Sequence, residues 1–351
     1  MKIVVVDDSI VFRSSIVSAL STTPEITVER SLVNGKLAVD FLKQNPNIDL
    51  ITLDMEMPVM DGMEAIREIR KFNKTVVIIV FSAYTQKGAE KTIEALNAGA
   101  NDFVTKPEVA GGGSEDGIKA IKDDLLPKIL AFKERLSLKK SFNEVKSLKT
   151  PSDLAGSPVS YQVNLPPQIL LIGCSTGGPE ALSQIFRAIK KNVNIPILIV
   201  QHMPPMFTQK LAEMLDKLSP IEVREAKEGD RLRPGLCLIA PGDFHMLVTK
   251  EGSIALTQSE KVCYVRPSVD VMFQSVFENF RGHTLAFILT GMGEDGAQGA
   301  KLLQNKSADI FIQDKETSVV WGMPGSVKKH VDTAKVIPLE DIAMVVQKFC
   351  S

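Results

Sequence analysis

The sequence is poor in the residues that staple a chain or anchor it in lipid. Only four of its 351 residues are cysteine, at positions 174, 237, 263 and 350. No two of them form a CxxC pair, which excludes a zinc ribbon or a disulfide framework and leaves reduced thiols as the expectation. No apolar run approaches the roughly 18 residues of a membrane helix. The opening MKIVVVDDSI has only Ile3–Val6 ahead of two aspartates, too little for a signal peptide. The sequence therefore predicts a cytoplasmic protein with no membrane insertion. An excess of charge is also missing: 41 basic residues face 42 acidic ones, for a formal charge of −1. That excludes a nucleic-acid binder working through bulk charge, while leaving a local basic patch open. No short internal repeat suggests a solenoid.

What is present is an ordinary globular composition, 44% apolar and 24% charged, at a length that suggests two domains. From Lys2 to about Leu125, apolar runs at Ile3–Val6, Leu50–Leu53, Val76–Phe81 and Asp102–Val104 alternate with helical patterns. A weaker strand signal lies near Ile26–Arg30. Continuous β-branched runs between helices imply a parallel sheet covered on both faces. Residues 126–167 differ: a lysine-rich helix tail passes into a stretch with four prolines, read as an extended linker. A second α/β series starts at Gln168, with strands expected at Ile169–Ile172, Ile195–Val200, Leu236–Ala240, Leu285–Leu289 and Ile310–Ile312. A β-hairpin is expected within 242–258, turning at Glu251-Gly252. The predicted architecture is two doubly wound α/β domains, residues 1–125 and 168–351, the first flavodoxin-like and the second Rossmann-like.

Asp7-Asp8, Asp54, Ser82 and Lys106-Pro107 fall at the ends of successive strands of the first domain. In an open parallel sheet those ends share one crevice. Three carboxylates there need a cation, and an all-oxygen donor set suits Mg²⁺. One carboxylate can then accept a phosphoryl group, with a lysine to pair its oxygens and a hydroxyl to sense it. An aspartate at a strand end can equally be a helix N-cap, a reading that weakens when four such signals occur in order. The stretch resembles the receiver domains of two-component response regulators. The resemblance implies Asp54 as phospho-acceptor and Asp7, Asp8 and Asp54 as Mg²⁺ ligands. It also implies Ser82 and Phe103 as switch residues and Lys106 as phosphate partner. The glycine run Ala110–Ser114 departs from the pattern and is expected to loosen the start of the last helix.

In the second domain, Gly173-Cys174-Ser175-Thr176-Gly177-Gly178 lies between a strand and a helix. A serine at such a turn is exposed at the sheet edge beside helix N–H groups that can hold an oxyanion. A phosphate-binding turn fits the same glycines. A nucleophilic serine needs a base, and of His202, His245, His283 and His330 only His202 follows a neighbouring strand. The third strand end, LTGMGEDG, offers Asp295 as orienting acid, with Glu294 as the less favoured neighbour. The chain order Ser…His…Asp is not that of α/β-hydrolases. The rival reading is a dinucleotide fingerprint at Gly291, Gly293 and Gly296 with Asp314 beyond, against which Asp295 would set a charge beside the pyrophosphate.

The segments IGCSTGGPEAL, IVQHMPPMFT, LRPGLCLIAPGDFHM, RPSVDVMFQS, LTGMGEDGAQG and VWGMPGSV resemble, in order, the catalytic domain of chemotaxis protein-glutamate methylesterases. That resemblance implies hydrolysis of glutamyl methyl esters on the cytoplasmic helices of chemoreceptors; some members also deamidate receptor glutamines. It implies Ser175 as nucleophile, His202 as base, Asp295 as orienting acid, Thr176 positioning His202, and Met292 bordering the site. It further implies a chemotaxis histidine kinase as phosphodonor, a monomer, and an esterase reaction without a cofactor. Cys174 stands where the family usually has alanine and reads as a small buried hydrophobe.

Overall fold

The computed structural model describes residues 1–107, 115–146 (side chains as far as 137) and 161–351, in two compact units, Met1–Lys133 and Glu134–Ser351. The glycine run Ala110–Ser114 and residues 147–160 of the expected linker lie outside the described residues. No described helix is long and apolar enough to cross a membrane.

The first unit alternates β1 (Lys2–Val6), α1 (Ile10–Ser21), β2 (Thr27–Leu32), α2 (Gly35–Gln44), β3 (Leu50–Asp54), α3 (Gly62–Phe72), β4 (Val77–Ser82), α4 (Gln86–Ala98) and β5 (Asp102–Thr105). The long α5 (Glu115–Lys146) follows and runs across the expected boundary at residue 125. All strands pair parallel in the order β2-β1-β3-β4-β5, the flavodoxin-like order. Every residue of β3 and β4 is buried, because helices cover both faces. Edge strand β2 is mostly exposed and reads TVERSL, which explains its weak sequence signal. The Asp61–Glu64 capping box starts α3. A side chain at Gly62 would meet the Asp54 carbonyl at 2.4 Å, so glycine lets this turn close over the strand end.

In the second unit, β6 (Ile169–Cys174), α6 (Gly178–Ala188), β7 (Ile197–Gln201), α7 (Phe207–Asp216), β8 (Glu222–Glu225) and β9 (Leu236–Ile239) lead to the hairpin β10 (His245–Val248) and β11 (Ile254–Thr257). Then come α8 (Val269–Asn279), β12 (Thr284–Ile288), α9 (Ala297–Gln304), β13 (Asp309–Gln313), α10 (Gly322–His330), β14 (Lys335–Ile337) and α11 (Leu339–Cys350). The main sheet is parallel, ordered β14-β13-β12-β6-β7-β9-β8, and the hairpin stands apart from it. The chain builds outward from β6 through β7 to β9 and β8, then returns to build outward again from β12. The switch point between β6 and β12 is where a ligand crevice forms in such sheets. The edge strands β8 and β14 escaped the sequence reading because EVRE and KVI are short and partly polar.

The expected linker ends earlier than residue 167. The Tyr161 hydroxyl donates to Asp341 at 2.8 Å, and its ring meets Phe311 edge-on. The Asn164 N–H donates to Asp309 at 2.6 Å. An aromatic with a partner at each end thus fastens residues 161–167 to the second unit.

Candidate functional site

Two crevices hold the predicted residues. In the first unit, Asp7 follows β1, Asp54 closes β3, Ser82 closes β4 and Lys106 follows β5. Asp7 and Asp54 are buried, and the Lys106 ammonium bridges them at 3.0 and 2.8 Å. Burial pushes both carboxyls above their usual range, and the attraction of Lys106 offsets it only in part. Burial alone would lower Lys106, but Asp54 and Asp7 outweigh it and hold the ammonium above its ordinary value. Asp7, Asp8 and Asp54 each offer an oxygen within 4.8 Å of the others. An all-carboxylate set, two of its members held above their usual range by burial, fits a hard divalent cation such as Mg²⁺. The Ser82 hydroxyl donates to the Gly88 carbonyl at 3.0 Å, into α4 rather than toward Asp54. Phe103 is buried with the Lys128 ammonium 5.2 Å from its ring centre.

In the second unit, the turn from β6 to α6 carries Ser175. Gly177 caps α6 at φ +78°, a conformation glycine adopts without strain. The Gly178 N–H donates to the Ser175 carbonyl at 2.7 Å, while the N–H groups of Thr176 and Gly177 have no partner among the described residues. Those two N–H groups lie at the helix start, where an anion is favoured. His202 follows β7, and its backbone N–H donates to the Cys174 carbonyl at 3.1 Å.

Asp295 precedes α9 and is buried. Its Oδ1 accepts from the Ser268 hydroxyl at 2.7 Å and the Asp270 N–H at 3.0 Å. Its Oδ2 accepts from the Val269 N–H at 2.7 Å and bonds His202 Nε2 at 2.8 Å. Burial opposes the charge, yet the His202 bond and the N–H groups at the start of α8 outweigh it and hold the carboxyl below its usual range. An anionic Asp295 fixes the proton on Nε2 and leaves Nδ1 as the acceptor, the reverse of the chymotrypsin arrangement. The structure thus joins His202 to Asp295. It does not join Ser175 Oγ to His202 by a hydrogen bond, a contact that commonly tightens only with substrate present. Thr176 is held through its carbonyl by the Thr290 hydroxyl at 2.9 Å and makes no bond to His202. Met292 is half-buried in the loop before Asp295.

Three supporting residues went unread in the sequence. Ser268, in the quoted RPSVDVM, caps α8 and bonds Asp295. Gln201 is 2% exposed, and its amide donates to the carbonyls of both Ser175 and His202 at 3.1 Å. Its own oxygen has no partner among the described residues and would lie 2.0 Å from a side chain at Gly178, so that position needs glycine. Asp270, in the first turn of α8, accepts the Gly299 N–H at 2.6 Å.

Cys174 is buried as the sequence suggested, its thiol points to the Val200 carbonyl, and burial drives its pKa far up. The alternatives fare worse. Asp314 spends its carboxylate on the N–H and hydroxyl of Thr317 rather than facing a ribose. Glu294 is exposed where Asp295 is buried. Cys263, Asp270 and Asp295 also cluster within 4.8 Å, but both carboxylates there are already taken up by N–H donors.

Comparison with known proteins finds a match for each of the two units. The family described as CheB methylesterase matches residues 170–346, and that described as response regulator receiver domain matches residues 3–111. A protein-glutamate methylesterase/protein-glutamine glutaminase of Nocardioides sp. is 39% identical over 97% of this chain and 93% of its own. One of the same description from Trichodesmium erythraeum is 39% identical over 97% of both. The crystal structure of the Thermotoga maritima CheB methylesterase catalytic domain is 41% identical, covering 52% of this chain and 99% of that one, at a TM-score of 0.50.

Proposed function

The chain belongs to the CheB methylesterase family, and from that premise we propose that it is a phosphorylation-activated hydrolase of glutamyl methyl esters on chemoreceptor helices. The observation that carries the reading is the Asp295 carboxylate, saturated by four donors and holding His202 at the strand ends beside Ser175. Ser175 Oγ attacks the ester carbonyl as His202 Nδ1 takes its proton, and anionic Asp295 stabilises the resulting imidazolium. The N–H groups of Thr176 and Gly177 hold the oxyanion. Collapse expels methanol, which takes the proton back from His202, and leaves a glutamyl-serine ester. His202 then deprotonates a water that attacks this ester, releasing the glutamate carboxylate and restoring Ser175. A receptor glutamine would follow the same course with ammonia leaving. Thr176 acts through the turn it belongs to, and Met292 borders the site.

In this reading residues 1–125 are the receiver, 126–160 the connection, and 168–351 the catalytic domain, to which 161–167 are fastened. Asp54 accepts the phosphoryl group from a chemotaxis histidine kinase. Asp7, Asp8 and Asp54 would hold Mg²⁺, which when bound neutralises charge on the incoming phosphate. Lys106 then exchanges its bond to Asp54 for one to the phosphoryl oxygens, and Ser82 and Phe103 report the change. The protein works in the cytoplasm as a monomer. The test is methanol release from methylated receptor, where Ser175→Ala should lower the rate at least about 10⁴-fold. Retained release in that variant would overturn the assignment.

A further inference from the structure

A groove of about 540 Å³ opens beside the Asp295 loop, lined by Tyr264, Glu294, Trp321 and Lys329 over the glycines Gly293, Gly322 and Gly325. It adjoins Ser175, because a side chain on Gly291 would come within 2.9 Å of the serine Cβ and Gly291 is bridged to Trp321. One wall is a tight turn in which Val262 and Val265 exchange backbone hydrogen bonds at 3.2 and 3.0 Å. Its central residues, Cys263 and Tyr264, sit at φ +50° and +65°. A turn with two left-handed residues ordinarily takes Asn-Gly, and side chains tolerate it only under strain. What the strain secures is a tyrosine left 95% exposed at the groove's lip. Strained backbone persists where its geometry serves a site.

We propose that this groove seats the substrate's own α-helix, with Tyr264 and Trp321 as walls and Lys329 as anchor for a carboxylate about two helical turns from the ester. The proposal rests on the hydrolase reading of Ser175. The floor suits a helix: Gly293 would meet nothing within 4 Å even with a side chain added, so a partner can approach closely. Trp321 is fixed by its indole N–H, which donates to the Gln313 carbonyl at 2.8 Å. Lys329 lies seven residues beyond Gly322, which packs against Gly291 and Gly293 beside the nucleophile. At 1.5 Å per residue that places it roughly 10 Å along α10. A helix laid along α10 with its ester at Ser175 thus brings a residue about seven positions away to Lys329. Neither Lys329 nor Glu294 has an ion-pair partner among the described residues, so both charges are available to the substrate. Glu294 stands beside the reacting end and disfavours the carboxylate product there, which aids its release.

The experiment uses the full chain with Ser175→Ala, so that ester survives, in acetyl phosphate and Mg²⁺. The probe is a fluorescent helical peptide with one glutamyl methyl ester and glutamates seven residues to either side. Tyr264→Ala should weaken binding about tenfold. Lys329→Glu should weaken it several-fold, and replacing one of the two flanking glutamates with lysine should restore it. Both side chains are exposed, so melting temperatures should hold within a degree or two. Binding unaffected by either change, or no binding by the parent, overturns the groove. Methanol release by wild-type protein is measured alongside: if it persists while binding ignores the groove, only the groove fails, and if it is absent the hydrolase reading fails first.

Discussion

Asp270 and Asp295 each cap the helix the other introduces. The Asp270 N–H, at the start of α8, donates to Asp295, and the Asp270 carboxylate accepts from Gly299 in the first turn of α9. The two acids diverge in consequence. Asp295 is held below its usual range against the effect of burial, while burial lifts Asp270 to about 6, with the Asp295 charge adding to it. Where two neighbouring carboxyls are driven apart like this, one is kept charged for work, and here it is the one that holds His202.

Asp295→Asn should therefore lower kcat on methylated receptor by about 10³ to 10⁴, since an amide cannot fix the His202 proton on Nε2. It should also destabilise the fold, because its NH₂ would meet N–H donors. The folded pKa of Asp295 lies below its ordinary 3.8, so its contribution is present above that value and lost as pH falls through the lower one. Denaturation midpoints of wild type and variant should converge below about pH 4. A gap that stays constant would refute the linkage.

Asp270→Asn should have the opposite pH signature. The folded pKa near 6 exceeds the ordinary 3.8, so the ionised form costs stability, nothing at low pH and fully above 6. An asparagine oxygen can still accept the Gly299 N–H. The variant should gain on wild type as pH rises from 4 to 7, by on the order of 1–2 kcal/mol after solvent screening. Urea midpoints across that range decide it, and a gain that shrinks with pH would be contrary.

Gln201→Leu removes the amide that ties the Ser175 and His202 carbonyls together. Its oxygen makes no bond among the described residues, so a leucine of similar size recovers some stability on that side. The expected result is a kcat lowered about 10- to 100-fold with KM little changed, since only alignment is lost. An unchanged kcat would show that the tie is dispensable.

Mg²⁺ should raise the melting temperature of the receiver transition, with EDTA reversing it. At ten times Kd the linkage is worth about 1.4 kcal/mol. Asp8→Ala removes one of three oxygens without disturbing the buried Asp7–Lys106–Asp54 bridge. It should abolish the Mg²⁺ shift while leaving the metal-free melting point in place. A persistent shift would move the metal elsewhere.

Both sheets were legible in the sequence because parallel strands buried on two faces read as unbroken apolar runs. The placement of Asp54, Lys106, Ser175 and His202 was legible for a related reason: polar residues just past such runs emerge at one edge, whereas Asp295, six residues beyond Leu289, was reached through the glycine-rich turn after its strand. The residues that hold them were not. Ser268 donates to the Asp295 carboxylate and Gln201 to the Ser175 carbonyl, both far away in the chain, and nothing in their local pattern marks a long-range partner. Ser82 was placed at its strand end, but its hydroxyl turns to the Gly88 carbonyl, a choice set by the α4 turn. Which ring nitrogen of His202 meets Asp295 likewise depends on where the start of α8 lies in space.

The fastening of residues 161–167 bears on how a gene for the catalytic half should be cut. A fragment beginning at Gln168 would strip Tyr161 from Phe311 and Asp341 and leave the buried Asp309 without the Asn164 N–H. Phe311 and Asp309 belong to β13, a neighbour of the strand that leads to Asp295. Loss of activity in so short a fragment would then report a frayed sheet and be mistaken for the absence of an activator. Expression should begin upstream of Tyr161.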